Sequence, residues 1–219
     1  MRTQILIILL FFSGAASAQD SLKTIISNDV CNCIDHLKKI TEDSLSSCFQ
    51  NAIQKSKEAF IVPGKSNYTD SSYYKASEKL RQEIFESVFL QMVQTCTSYF
   101  VFMDTLRHAQ LKEFDKDSLK REINKISESD PKKWKKDFYT ERGIMYFEMA
   151  DMENALADFN NAIKSDPNAQ ESIYFKAWIF ELKGNYEDSY KLYNQLAVLT
   201  NKSQYKIMAA VVKRKKDGL

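Results

Sequence analysis

Residues that break helices are scarce in this chain. Glycine occurs five times and proline three times in 219 residues, so few positions interrupt a helix and long helices are the expectation. Histidine is as rare, with His36 and His108 alone, each among charged neighbours that suit a solvated helix face. There is no His-Glu-x-x-His, no Gly-x-Ser-x-Gly and no phosphate-cradling glycine loop. The expectation from these absences is a protein that is not an enzyme and uses no cofactor and no metal. An excess of one charge is missing too, since 31 basic residues face 29 acidic ones for a net charge of +2. So balanced a chain lacks the basic face that nucleic acid requires. Its one basic run, Lys213-Arg214-Lys215-Lys216, reads as the solvated end of a helix, where cations favour the dipole.

The N-terminus has the pattern of a targeting segment. Arg2 supplies a positive charge, Ile5 to Phe12 are apolar, and Ala16-Ser17-Ala18 offers small residues for cleavage before Gln19. Residues 1–18 are therefore expected to be a secretory signal peptide, too short for a membrane span of about 20 apolar residues. No cysteine follows the cleavage point to take a lipid, and no later stretch is apolar enough to cross a bilayer. The expected location is outside the cytoplasm, periplasmic or secreted.

Residues 19–130 read as a helical domain with apolar stripes at helical spacing. Ile26, Val30, Cys33, Leu37 and Ile40 form the first, and Leu45, Cys48, Phe49, Ala52, Ile53 and Phe60 the second. A long third stripe runs from Leu80 through Ile84, Val88, Met92, Cys96, Tyr99 and Met103 to Leu106. A shorter helix over 118–128 turns Leu119, Ile123 and Ile126 inward. Pro63-Gly64-Lys65-Ser66-Asn67 marks a loop.

All four cysteines, Cys31, Cys33, Cys48 and Cys96, lie in this domain. An even count in an exported chain points to disulfides. A bond from Cys31 to Cys33 would strain so short a loop. Cys33 and Cys48 are about equally far from a turn near Thr41, so antiparallel helices bring them level, which leaves Cys31 for Cys96. The crossed pairing, Cys31–Cys48 with Cys33–Cys96, stays open. A competing reading takes Cys31-x-Cys33-x-x-His36, with Cys48, as a metal- or thiol-handling cluster.

Two stretches further along repeat each other at an offset of 34 residues. Gly143 answers to Ala177, Tyr146 to Phe180, Ala155 to Ser189 and Phe159 to Tyr193. Tyr139, Arg142, Gly143 and Tyr146, then Ala155, Phe159, Ala162 and Pro167, resemble the tetratricopeptide repeat, a helix–turn–helix unit that stacks into a solenoid. Small residues sit where helices would touch, and Pro167 stops the second helix. The resemblance implies an all-α protein: a disulfide-stapled helical domain, then over 131–219 two repeats (136–169 and 170–203) and a C-terminal capping helix. The signal-peptide style and the Ile, Lys, Asn and Ser content resemble envelope proteins of the Bacteroidota.

In that family the first helices line a concave groove. By resemblance, Thr140, Ile144, Phe147, Glu148, Tyr174, Trp178 and Glu181 would form a peptide-binding face, with Tyr174 and Trp178 the better ligand candidates. Thr140 and Ile144 replace the Lys and Asn of the carboxylate clamp found in chaperone-binding members. The same aromatics would serve equally well in packing against the protein's own helices. The function implied is a non-catalytic scaffold or adaptor with a protein or peptide partner of unknown identity. Asn67-Tyr68-Thr69 and Asn201-Lys202-Ser203 match the N-glycosylation acceptor pattern of a eukaryotic secretory route.

Overall fold

A computed structural model describes residues 21–56, 71–109, 115–128 and 137–218, without the side chains of 71–81 and 109. The signal peptide of 1–18, Phe60, the Pro63–Asn67 loop, the Leu80 side chain and the Asn67 acceptor lie outside the described residues. All the described secondary structure is helical, so the fold is all-α. In chain order the helices are α1 (21–35), α2 (Glu42–Lys55), α3 (Ser71–Thr95), α4 (Thr97–Ala109) and α5 (Lys116–Ser127). Then come α6 (Phe138–Glu148), α7 (Met152–Ser165), α8 (Gln170–Leu182), α9 (Tyr186–Thr200) and α10 (Ser203–Lys216). The chain divides into two compact units, Met1–Phe102 and Met103–Leu219, at a point inside α4.

In the first unit, α1 buries Leu22, Ile26, Val30 and Ile34, a strict spacing of four. The helix ends at residue 35, so Leu37 and Ile40 of the expected stripe fall in the turn before α2. Thr41 ends that turn as N-cap, exchanging hydrogen bonds with Ser44 in a capping box. From α2, Cys48, Phe49 and Ala52 point inward, and Phe49 meets Phe89 of α3 at 4.9 Å between ring centres. The long third stripe is not one helix. α3 stops at Thr95 and α4 starts at Thr97, although Cys96 N–H still donates to Met92 and Cys96 C=O still accepts from Phe100. Two disulfides close the unit, Cys31–Cys96 with Cα atoms 5.8 Å apart and Cys33–Cys48 with Cα atoms 5.7 Å apart.

In the second unit each helix from α6 to α10 packs on the next, and α5 packs on α6. Residues paired by the 34-residue offset are buried alike. Ala155 and Ser189, and Phe159 and Tyr193, are fully buried pairs of equivalents, and Gly143 and Ala177 are both buried. A Cβ on Gly143 would stand 2.6 Å from Cε1 of Phe159. The hairpin turns match too. Ala150 and Gly184 both have positive φ, at 64° and 75°, and Asp151 and Asn185 then cap α7 and α9 through their side chains. Capping by α10 adds Tyr205, Ala209 and Val212 to the core built on Ile173, Tyr193 and Leu196.

Candidate functional site

The most developed polar constellation lies in the second unit, where charges occupy apolar stripes. Arg107 extends the inward face of α4 at helical spacing from Phe100 and Met103, and is 6 % exposed. Glu181 does the same on α8, four residues past Ala177 and 4 % exposed. The guanidinium grips both carboxylate oxygens of Glu181, Nη1 to Oε1 at 3.1 Å and Nη2 to Oε2, while Nη2 also donates to the Tyr193 hydroxyl at 3.0 Å. Burial works against the charge on Arg107, but Tyr193 and Glu181 beside it outweigh burial and raise its pKa. Burial likewise pushes the Tyr193 phenol well above its ordinary value, which keeps it a neutral donor and acceptor.

Lys215 of α10 joins this group. Its ammonium donates to Glu181 Oε1 at 2.9 Å and lies 2.5 Å from Asp104 Oδ1. His108 Nδ1 lies 3.5 Å from the same Asp104 oxygen. Arg214 beside Lys215 is buried, and Lys216 pairs with Glu187 at 2.9 Å. The basic run of the C-terminus is thus largely engaged with the fold, not a solvated helix end. The sequence signal for all this was a charge standing in an apolar stripe. Arg142 forms a second pair, forked on Asp158 with both contacts at 2.7 Å and 4.8 Å from the Phe138 ring centre.

The residues expected to form a groove are mostly interior. Thr140 is buried and shares a 2.8 Å hydrogen bond with Ser172. Phe147 and Trp178 are buried with rings 5.2 Å apart, in a cluster with Phe159 and Phe175. Trp178 is 5 % exposed, and its Nε1 has no acceptor among the described residues. Glu181 is consumed by Arg107 and Lys215. Tyr174 is half-buried against Tyr193 and Tyr205, Ile144 is half-buried against the Phe147 cluster, and Glu148 is half-buried with its carboxyl pKa raised by burial. The rings of Phe147 and Trp178 are thus packed into the protein's own core.

The cysteine cluster has no thiol to offer. All four cysteines are in bridges and none is free. Cys31, Cys96 and the Asp35 carboxylate do lie close together, but bridged sulfurs are not thiolates and make poor metal ligands. A cavity of about 210 Å³ opens beside α6 and α8, lined by Asp137, Thr140, Ala162, Asp166, Asn168 and Gln170 among others.

A family model matches part of the chain: poly (ADP-ribose) glycohydrolase (PARG), Macro domain fold, over residues 37–135. The match spans under half of the 219 residues. No curated protein and no solved structure matches. The match corrects the expected membership in the tetratricopeptide-repeat family and the likeness to Bacteroidota envelope proteins, neither of which it supports. It likewise overturns the expected non-catalytic scaffold and the expectation of no enzyme, because the matching family is named for a hydrolase. The thiol- or metal-handling alternative gains nothing from the match and loses its thiols to the two bridges.

The matched segment differs in extent from the structural units. Both bridges reach across its first residue, from Cys31 and Cys33 ahead of it to Cys96 and Cys48 within it. The division at Phe102 falls inside it. Its described residues form helices and turns, with no strand among them.

Proposed function

We propose that the protein is exported to an oxidising compartment and that residues 37–135 carry a hydrolase activity of the glycohydrolase kind. The family match carries the activity. Two disulfides with no free cysteine support the export, since such bridges persist where thiols are not kept reduced. No helix among the described residues is long and apolar enough to cross a membrane.

Glycoside hydrolysis generally uses two carboxyl groups, one protonating the leaving oxygen while the other activates water or attacks the sugar. Within the matched segment, Asp104 is the carboxylate to test first. It is half-buried, it is fixed by Lys215, and it has an imidazole, His108, at 3.5 Å. The exposed acids Glu42 and Asp43 on the first turn of α2 are the next.

The test incubates the disulfide-intact protein with poly(ADP-ribose) and follows free ADP-ribose by chromatography. Release by the wild type, lost in Asp104→Asn, is the expected result. Release that survives Asp104→Asn would keep the hydrolase and move the carboxylate elsewhere. No release by the wild type would overturn the hydrolase reading. Export is checked apart from activity, by N-terminal sequencing of the mature chain, which should begin at Gln19.

A further inference from the structure

We infer that Asn201 is an acceptor site for an N-linked glycan in a eukaryotic secretory pathway. The inference rests on the proposed export, and not on the hydrolase activity. Asn201-Lys202-Ser203 has the acceptor pattern, with lysine and not proline in the middle. The structure adds what the pattern alone lacks. Asn201 is exposed in the turn between α9 and α10, in a left-handed conformation with φ 52° and ψ 29° that asparagine tolerates. Its N–H is spent on Ala197 C=O at 2.9 Å, while its side-chain amide makes no hydrogen bond among the described residues. Lys202 beside it is exposed as well. A bulky substituent on the Asn201 amide nitrogen would therefore displace no core contact and break no side-chain bond.

The surroundings give such a substituent something to cover. Val198 is 87 % exposed and Leu199 is 36 % exposed, on the last turn of α9 just ahead of Asn201. Val198 is the most exposed large apolar side chain among the described residues. A hydrophilic oligosaccharide rooted three residues away would screen these side chains from other molecules.

In the transfer, the Asn201 side-chain nitrogen forms a bond to C1 of the sugar and loses a proton. The C1–O bond to a lipid-linked pyrophosphate donor breaks, and the pyrophosphate leaves with the electron pair. No redox partner is needed.

The test expresses the full chain in insect secretory cells in two forms, one with its own N-terminus and one with residues 1–18 replaced by an established leader. Both carry Asn67→Gln, which removes the other acceptor pattern. Secreted protein is peptide-mapped before and after amidase treatment, which turns a glycosylated Asn into Asp. The expected result is a glycan on the peptide containing Asn201, abolished by Ser203→Ala and restored by Ser203→Thr. An unmodified Asn201 in the secreted protein behind the established leader would overturn the inference. Failure of secretion from the natural N-terminus alone would instead overturn the export reading, with the acceptor inference decided by the other form.

Discussion

The two compact units are held together by different chemistry. The first, up to Phe102, contains every cysteine of the chain and is closed by two bridges from α1, one to α2 and one to Cys96 at the junction of α3 and α4. The second has no cysteine and relies on close-packed helices in sequence, with an aromatic core and a buried cluster of charges. Loop closure explains the choice. The Cys31–Cys96 bridge spans 65 residues, and a bridge over so long a loop removes a large share of the unfolded chain's freedom. In the second unit neighbours in sequence are neighbours in space, so there is less loop entropy for a bridge to remove.

In the first unit the largest effect should come from the long bridge. Replacing Cys31 and Cys96 by serine should cost about 4 kcal/mol in the chain-entropy model. Replacing Cys33 and Cys48, which span 15 residues, should cost about 3 kcal/mol. Denaturant unfolding of each variant measures the difference, and equal costs would mean that strain or residual structure dominates loop length.

Removing Glu181 is the counterpart in the second unit. Glu181→Ala leaves Arg107 and Lys215 without their shared carboxylate in a buried setting, and breaking such a group typically costs about 3–5 kcal/mol. Replacing Arg107 and Glu181 together by leucine and methionine should recover most of that loss, since apolar groups of similar volume often substitute at little cost. A double variant no better than Glu181→Ala alone would show that the ion cluster contributes more than compensation of its own desolvation.

Comparison of the two hairpins yields smaller and more pointed effects. Gly143→Ala should destabilise by about 1–3 kcal/mol, because the new methyl would stand 2.6 Å from a fully buried Phe159 ring. Ser189→Ala should stabilise by about 1 kcal/mol, because the Ser189 hydroxyl is buried with no partner among the described residues. Its equivalent in the first hairpin is already alanine, Ala155. Thermal melts of both variants check the signs, and a destabilised Ser189→Ala would mean that the hydroxyl has a partner, such as a water.

Much of the helix layout was legible because the chain has few breakers and its capping residues are explicit. Thr41 caps α2 at the turn expected there, and Asp151 and Asn185 cap α7 and α9. The near-equal distance of Cys33 and Cys48 from Thr41 favoured the observed pairing without excluding the crossed one, and Thr41 is indeed the N-cap that starts α2. The break between α3 and α4 was not legible, because the apolar stripe runs through Cys96 without a change of register.

The burial of Phe147 and Trp178 was not legible for a related reason. Periodicity says that Phe147 and Trp178 turn away from one contact, but not whether another element covers them, and here Phe159 and Phe175 do. Nor does spacing reveal that Arg107 and Glu181, 74 residues apart, meet. A lone charge in an apolar stripe was the available sign. The match over 37–135 could not be anticipated from motifs, since none of the catalytic patterns sought occurs in the chain.

Hydrogen exchange with and without reductant tests the contrast between the units most directly. Peptide-level exchange on the oxidised protein should show protection in the helices of both. After reduction of Cys31–Cys96 and Cys33–Cys48, amides within 21–102 should lose protection, while those of 138–216 keep theirs. Loss of protection across both ranges together, at the same reductant concentration, would contradict the claim that one unit is held by its bridges and the other without them.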